Sequence, residues 1–481
     1  MSLRTSIAWA FSEQTLQQII QLAAAVVIAR LLQPDELGVF ALAVSAAAML
    51  TALRSFGVGN YLIREPDLTL EKVRSAFGAM LVVSWSLGLL LVLGRDVIAG
   101  LYDRPAIADL MALLALSFAI APFGEPATAL LTREMQFRRL HSIGLTAVAA
   151  GSALSVALAF AGFSYFSLAW GLLVTQSLKS LLPMLAYRRY ALILPSFSHW
   201  REILHFGGLL SLTSLIGTAN NEGMRFVLGW FTNPASLAQF HRSAQVPNLF
   251  RQGIFLPISR VLTPAWSEDI RSGRSIGPGA EKLVALNTVL VWPVFLALSF
   301  VSVPFITLVF GPNWGPAGEI FPWVLLSQAI VAALPQPEQV LVPYGLVGRA
   351  FLVRASAAVV SLATAIYGAS IGLEGFAISR VVAAAFLVCA VYVAVHRLID
   401  FDLRRFGLRY LRSAAVAVLA ALPAAAFHLS GEESMSLLEL IALVIACGLL
   451  WLLGIAVTRH FVWSELMLVA RKGLGGQGSR S

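Results

Sequence analysis

Charge is scarce in this chain. Only 12% of its 481 residues are Asp, Glu, Lys or Arg, about half the roughly 25% of a soluble globular domain, and that deficit excludes a soluble fold. Cysteine is nearly absent. Cys389 and Cys447 are the only two, both inside apolar runs, which gives no disulfide framework and no thiolate metal site. There is no G-x-x-x-x-G-K-[ST] phosphate loop, no zinc-ligand spacing, no G-x-S-x-G and no D-x-D in a loop. ATP hydrolysis by this chain therefore has no basis in the sequence, and neither a cofactor nor a catalytic residue is expected. The N-terminus, MSLRTSIAWAFSEQ, lacks a short apolar core ending in a small-residue cleavage site, so no cleaved leader is expected.

What is abundant is apolar surface: 58% of the residues are hydrophobic and the mean hydropathy is +0.81. Polar and Pro/Gly clusters cut the chain into segments of about 20 apolar residues, the length that spans a hydrocarbon core as a helix. Lipid offers no hydrogen-bond partners, so these segments must be helical. The expected crossings are 10–33, 37–59, 76–100, 106–131, 142–163, 166–187, 203–231, 235–262, 283–310, 317–343, 350–371, 375–397, 410–429 and 437–459, making an all-α membrane protein of about fourteen helices. The net charge of +9 points to topology and not to nucleic acid, because the basic residues lie in short loops. Most of the 34 Lys and Arg fall on one side of this scheme, whereas the opposite loops hold Arg30, Arg95 and Arg104 beside Asp35, Glu36, Glu432 and Glu433. The positive-inside rule then puts both termini in the cytoplasm.

An internal repeat is visible. LLQPDELGVF closes the first crossing and WFTNPASLAQF the seventh, pairing Pro34 with Pro234, Leu37 with Leu237 and Phe40 with Phe240. LSFAI at 116–120 pairs with LSQAI at 326–330. These matches divide the chain into a six-helix lobe over 1–200, a second over 201–400, and two extra helices with a tail over 401–481. Six is even, so the lobes enter the membrane in the same orientation. A pseudo-two-fold axis along the membrane normal and a central cavity between the lobes are expected.

Ionisable groups at membrane depth mark functional candidates. Arg54, Lys179, Arg225, Arg242, Arg251, Arg354 and Arg380 fall inside expected helices. Arg54, Arg354 and Arg380 sit near helix ends, where reaching the headgroups costs little. On the seventh helix Ser211, Ser214, Thr218, Asn221, Glu222 and Arg225 share an arc of about 100°. The eighth carries His241, Gln245, Asn248 and Gln252 on one face, with Pro247 as a kink site. The first repeats the pattern with Glu13, Gln14, Gln17, Gln18 and Gln21. Such stripes face either a cavity or a hydrogen-bonded helix seam. The deep acids Glu13, Glu125, Glu222 and Glu338 are candidates for ion coupling; alternatively, Glu222 neutralises Arg225 one turn away.

The pieces ARLLQPDELGVFALA, FGVGNYLIRE, LYDRPAIADLMALLAL, PATALLTREMQFRRL, PNLFRQGIFLPISRVLTPAWSE, VFGPNWGPAGEIFPWVLL and YGLVGRA occur in an order that resembles the polysaccharide transporter family. These are the Wzx-type flippases of the multidrug/oligosaccharidyl-lipid/polysaccharide superfamily. Two departures stand out. Asn220-Asn221-Glu222 replaces the family's N-x-D, and Ala238-Gln239-Phe240-His241 replaces its Gly-Tyr-Tyr. The resemblance implies a non-enzymatic flippase that moves undecaprenyl-diphosphate-linked oligosaccharide from the cytoplasmic to the periplasmic leaflet by alternating access coupled to an ion gradient. Its implied partners are the lipid-linked glycan, membrane lipids, a polysaccharide polymerase and a co-polymerase, with the transporter itself a monomer. On that reading Arg54, Arg225, Arg242 and Arg251 form a cationic surface for the diphosphate, lined by Glu13, Gln17, Gln21, Ser214, Thr218, Asn221, His241, Gln245 and Asn248. Two alternatives stay open: a cation-coupled multidrug antiporter of the same superfamily, and a membrane glycosyltransferase or ligase acting on the same lipid carrier.

Overall fold

The computed structural model describes residues 3–54, 58–187, 193–396, 398 and 403–463; the side chains of 3–14, 204–216, 219, 254–261, 263, 264, 338, 403 and 405 fall outside that description. Among the described residues every regular element is a helix. The chain runs through α1 (Leu3–Leu31), α2 (Pro34–Arg54), α3 (Val58–Arg64), α4 (Leu70–Leu101), α5 (Ala106–Arg133), α6 (Phe137–Phe160), α7 (Ser164–Ala186), α8 (Trp200–Phe231) and α9 (Pro234–Phe250). It continues through a π turn at Arg251–Phe255, α10 (Leu256–Arg271), α11 (Gly277–Phe300), α12 (Ser302–Phe310), a 3-10 turn at Pro312–Trp314, α13 (Gly315–Val331) and α14 (Pro337–Leu341). The last four are α15 (Val347–Ile371), α16 (Leu373–Val395), α17 (Leu403–Leu429) and α18 (Leu437–Val457).

Among the described residues ten spans are long and apolar enough to cross a bilayer, which makes the chain a multi-pass helical membrane protein. They are α2 with α3, α4 to α7, α11, and α15 to α18. The helices α9 and α13 have 17 residues each. Two compact units result, Met1–Ala238 and Gln239–Ser481. Their boundary follows packing: α8 lies against α2, α3 and α4.

In lipid each carbonyl that a proline deprives of its helical donor needs another. Pro122 in α5 removes the donor to Phe118 O, and the Ser84 hydroxyl of α4 donates there at 2.6 Å. In α11, Pro293 does the same to Val289 O, which accepts from Trp451 Nε1 of α18 at 2.9 Å. Pro247 frees Ser243 O, and the helix widens into the π turn a few residues on, a common response to a disrupted ladder. The eighth helix therefore does not stop at 262 but runs on as α10 to Arg271. The tenth crossing, expected continuous over 317–343, is instead broken. Pro335 and Pro337 push their preceding residues out of the α region, so α13 stops at Val331 and α14 restarts at Pro337. The third begins earlier than the apolar run alone predicts, at Leu70, because the Thr69 hydroxyl accepts from Lys72 N at 3.2 Å and caps it.

At one end of the first unit Arg133 donates to the carbonyls of Leu62, Glu65 and Pro66, and Tyr61 donates to Glu202 Oε1 at 3.2 Å. A hydrogen bond from Lys72 holds the Glu65 carboxyl below the usual carboxylate range. In the second unit the C-terminal pair α17–α18 is tied to α11 by Arg409–Glu281 at 3.0 Å and by Thr288 donating to Ser413 Oγ at 2.9 Å. His460 lies 3.4 Å from the same Ser413 hydroxyl. Burial, then Arg409 and Arg412, push its imidazole down to about 4, so it stays neutral at neutral pH.

Candidate functional site

Polar side chains recur along α8 and α9. On α8, Glu222 is 9% exposed, and Arg225 Nη1 donates to its two oxygens at 2.9 and 3.2 Å. This matches the neutralising alternative for Glu222. Asn221 is exposed and Thr218 half-buried on the same helix. The side chains of Ser211 and Ser214 lie outside the described residues, as do those of Glu13 on α1 and Glu338 on α14. Gln17 is half-buried and Gln21 exposed on α1.

On α9, Arg242 is 5% exposed. Its guanidinium sits 5.4 Å from the Phe310 ring and 5.2 Å from the Trp314 ring, and Nη1 donates to Gln245 Oε1 at 3.0 Å. Two neighbours fasten this clamp. Gln239, 6% exposed, donates to Asn313 O at 2.9 Å and accepts from Ala317 N at 3.0 Å. Ser243 donates to Ala317 O. The Gly311 backbone, at φ 109°, makes the turn that brings Trp314 beneath the guanidinium. Arg242 is thus enclosed by aromatic faces instead of opening onto a wide polar surface. Arg251, in the π turn, is exposed, and its Nε donates to Asn248 Oδ1 at 3.3 Å. His241 is exposed on this helix as well.

In the first unit Arg54 closes α2 with its guanidinium 5.4 Å from the Phe118 ring of α5, where it also feels the charge of Glu125 between Pro122 and Pro126. Arg54 is therefore turned to α5. Arg380 departs from the snorkelling expectation too: it donates to Ser361 Oγ at 2.9 Å and Ser361 O at 2.6 Å on the adjoining helix. Arg354 donates to Gln336 Oε1 at 3.0 Å. Nearby hydroxyls and carbonyls supply what water would supply in the headgroup layer, so the longer reach brings no gain.

Of the four arginines, Arg54 and Arg225 belong to the unit 1–238, and Arg242 and Arg251 to the unit 239–481. Their chemistry differs in one respect. Arg225 has a carboxylate partner, whereas among the described residues Arg242 and Arg251 bond only to amides. A guanidinium held by a neutral oxygen keeps its charge available for an anion. Gln239, Phe310 and Trp314 carry no mark of a site in the sequence. The GPNW turn is their one local signal, and its contact with α9 is more than seventy residues away along the chain.

A family model described as "Polysaccharide biosynthesis protein" matches residues 27–319. Among curated proteins, the succinoglycan biosynthesis transport protein ExoT of Rhizobium meliloti is 25% identical over 66% of this chain and 64% of its own length. The lipopolysaccharide biosynthesis protein WzxC of Escherichia coli is 25% identical over 60% of this chain and 59% of its own. The chain thus spans somewhat less than two thirds of the relatives it matches. Two solved structures share its fold: the lipid II flippase MurJ in an inward closed conformation, with TM-score 0.76, 14% identity and coverage of 95% of this chain and 99% of that one, and an inward-facing multidrug resistance transporter of the MATE family in the MOP superfamily, with TM-score 0.61, 16% identity and coverage of 80% and 94%.

Proposed function

The chain belongs to the polysaccharide biosynthesis protein family, and from that membership we propose that it is a flippase for lipid-linked oligosaccharide, carrying undecaprenyl-diphosphate-linked repeat units from the cytoplasmic to the periplasmic leaflet. It does so as a transporter without a reaction of its own. The observation that carries the proposal is the pair of arginines on α9 and the π turn that follows it whose described partners are amides, Arg242 with Gln245 and Arg251 with Asn248. A cargo headed by a diphosphate needs uncompensated cations at membrane depth, and an organic-cation antiporter would need the reverse. The names of the relatives point the same way: one is a succinoglycan transport protein and another a lipopolysaccharide biosynthesis protein.

The proposed architecture adds α1, α8, α9 and α13 to the ten apolar spans, for about fourteen crossings with both termini in the cytoplasm of an inner membrane protein. A two-fold relation between 1–200 and 201–400, with 401–481 outside it, has one local support. Trp85 Nε1 donates to Ala119 O at 3.2 Å, and Trp292 Nε1 donates to Ala329 O at 3.0 Å, joining matched positions of LSFAI and LSQAI. Glu125, Glu13 and Glu338 are the proposed coupling acids, Glu222 being paired with Arg225, and a polymerase and co-polymerase the proposed partners of a monomeric transporter.

Arg54, Arg225, Arg242 and Arg251 are each replaced by Ala in cells that depend on this protein for surface polymer. The expected outcome is loss of surface polysaccharide at unchanged protein abundance, with Arg242→Ala and Arg251→Ala strongest because their described hydrogen-bond partners are amides, whereas Arg225 is paired with Glu222. Normal polymer in all four strains sinks the assignment of the cationic surface. Movement of a labelled lipid-linked glycan in proteoliposomes, with no new glycosidic bond, separates the flippase from a transferase.

A further inference from the structure

We propose that the end of the α17–α18 pair where Arg412 meets Arg459 holds the phosphate of an anionic phospholipid. The two helices run antiparallel, with Gly454 of α18 packed against Val416 of α17. His460 Nε2 lies 3.4 Å from the Ser413 hydroxyl, so the residues just before each, Arg459 and Arg412, stand at the same end of the pair. Both arginines are exposed, and among the described residues neither side chain has a hydrogen bond or an ion pair. Arg409, one turn from Arg412, is different, because Glu281 already holds it at 3.0 Å. His460 between them is buried and neutral at neutral pH. The charge on offer here is therefore that of two guanidiniums.

The backbone at Arg459 points the same way independently. α18 ends with His460 N donating to Ile455 O at 3.0 Å and Arg459 N to Ala456 O at 3.2 Å, the pattern of a helix end that normally carries glycine. Arg459 sits there at φ 48°, where a Cβ is strained and glycine is not. An arginine held where glycine fits better indicates a use for its side chain. Farther along both helices the surface is aliphatic: Leu411, Val418 and Leu422 lie on one face of α17, Leu453 and Val457 on one face of α18, and all five are exposed. Two cations at the head of exposed aliphatic rows match a lipid, with the phosphate on the arginines and the acyl chains along the rows. A soluble anion would use the cations alone. Guanidiniums suit a phosphate because their paired donors fit its oxygens. The proposal goes beyond the flippase reading and stands without it, because the site is defined by lipid binding and not by transport.

The test is thermal unfolding of the purified full-length protein in detergent micelles supplemented with phosphatidylglycerol, phosphatidylcholine or inorganic phosphate at matched ionic strength. Phosphatidylglycerol raises the unfolding midpoint in a saturable manner, as binding to the native state alone requires, and the other two do not. Arg412→Gln and Arg459→Gly each remove most of that rise, and the double variant removes no more than the stronger single one, because the two share one site. Arg138→Gln, at an exposed arginine near the start of α6, keeps the whole rise. With phosphatidylcholine alone Arg459→Gly unfolds no earlier than the wild type, since glycine relieves the strained φ, and this separates lost binding from a damaged fold. No rise in the wild type overturns the proposal, as does a rise that both variants keep. An equal loss in Arg138→Gln makes the effect one of diffuse charge, and a rise with inorganic phosphate makes it one of a soluble anion. Early unfolding of Arg459→Gly assigns the arginine to the end of α18. Each of these three results overturns the proposal equally.

Discussion

The hairpins α6–α7 and α15–α16 carry the same kind of contact at different depths. Where α6 crosses α7, a Cβ built on Gly171 would lie 2.5 Å from Gly151 O and overlap the Ser155 hydroxyl, and one on Gly151 would overlap Thr175 Oγ1. Both glycines sit well inside their helices. Where α15 crosses α16, a Cβ on Gly368 would lie 2.5 Å from Gly375 O and one on Gly375 would lie 2.6 Å from Gly368 O. This crossing is beside the turn made by Gly372 at φ 124°. About 7.5 Å farther along α16, at 1.5 Å per residue, the seam is joined by Arg380, which donates to Ser361 Oγ, Ser361 O and Thr364 Oγ1 and lies 5.2 Å from the Phe376 ring. One hairpin is closed by backbone contact, as small residues allow in lipid, and the other by a charged side chain bonded across it.

The largest expected effect tests the first closure. Gly171→Ala meets Gly151 O, which is backbone and cannot swing aside as the Ser155 hydroxyl can, so it should destabilise the protein by about 3 kcal/mol, the upper range for overpacking. Gly375→Ala, next to a turn that can adjust, should cost visibly less. Unfolding midpoints of the two purified variants measure the difference, and equal losses would erase the contrast between a deep crossing and one at the turn.

The Arg380 closure comes next. Arg380→Ala should cost about 2 kcal/mol, the scale of hydrogen bonds to a charged group. Arg380→Lys should recover only part of that, since an ammonium cannot span Ser361 and Thr364 as a planar guanidinium does. Full recovery by lysine in the same unfolding assay would mean that charge alone, without the fork of donors, holds the seam.

Features set by a residue and its near neighbours along the chain are legible in the sequence. Apolar lengths and the placement of arginines establish the membrane character. The paired prolines 335 and 337 mark the place where the tenth span breaks, although the length of the apolar run argues for a helix straight through it. The Thr69 cap is present as a Thr followed by Glu71 and Lys72, yet the apolar run by itself predicts a later start. What is not legible depends on which helix lies opposite. Nothing near Arg380 in sequence announces Ser361, nineteen positions away on another helix. Nothing near Arg242 announces Phe310 and Trp314. The polar stripe of α8 is ambiguous for the same reason: by spacing, Glu222 and Arg225 fit a cavity wall as well as an ion pair, and the pair itself is visible only in their oxygen–nitrogen distances.

Ser361 separates these two levels most finely. Its hydroxyl accepts from Arg380 Nη1 at 2.9 Å while its carbonyl accepts from Nη2 at 2.6 Å, so Ser361→Ala removes one contact and leaves the other. The expected loss is about 0.6 kcal/mol, the average for a side-chain hydrogen bond between membrane helices. In the Arg380→Ala background the same substitution should cost close to nothing, because the partner is gone. A double-mutant cycle on unfolding midpoints reads the coupling directly. If Ser361→Ala costs as much without the arginine as with it, the hydroxyl stabilises α15 through its own backbone, and the second hairpin is then closed by packing in the same way as the first.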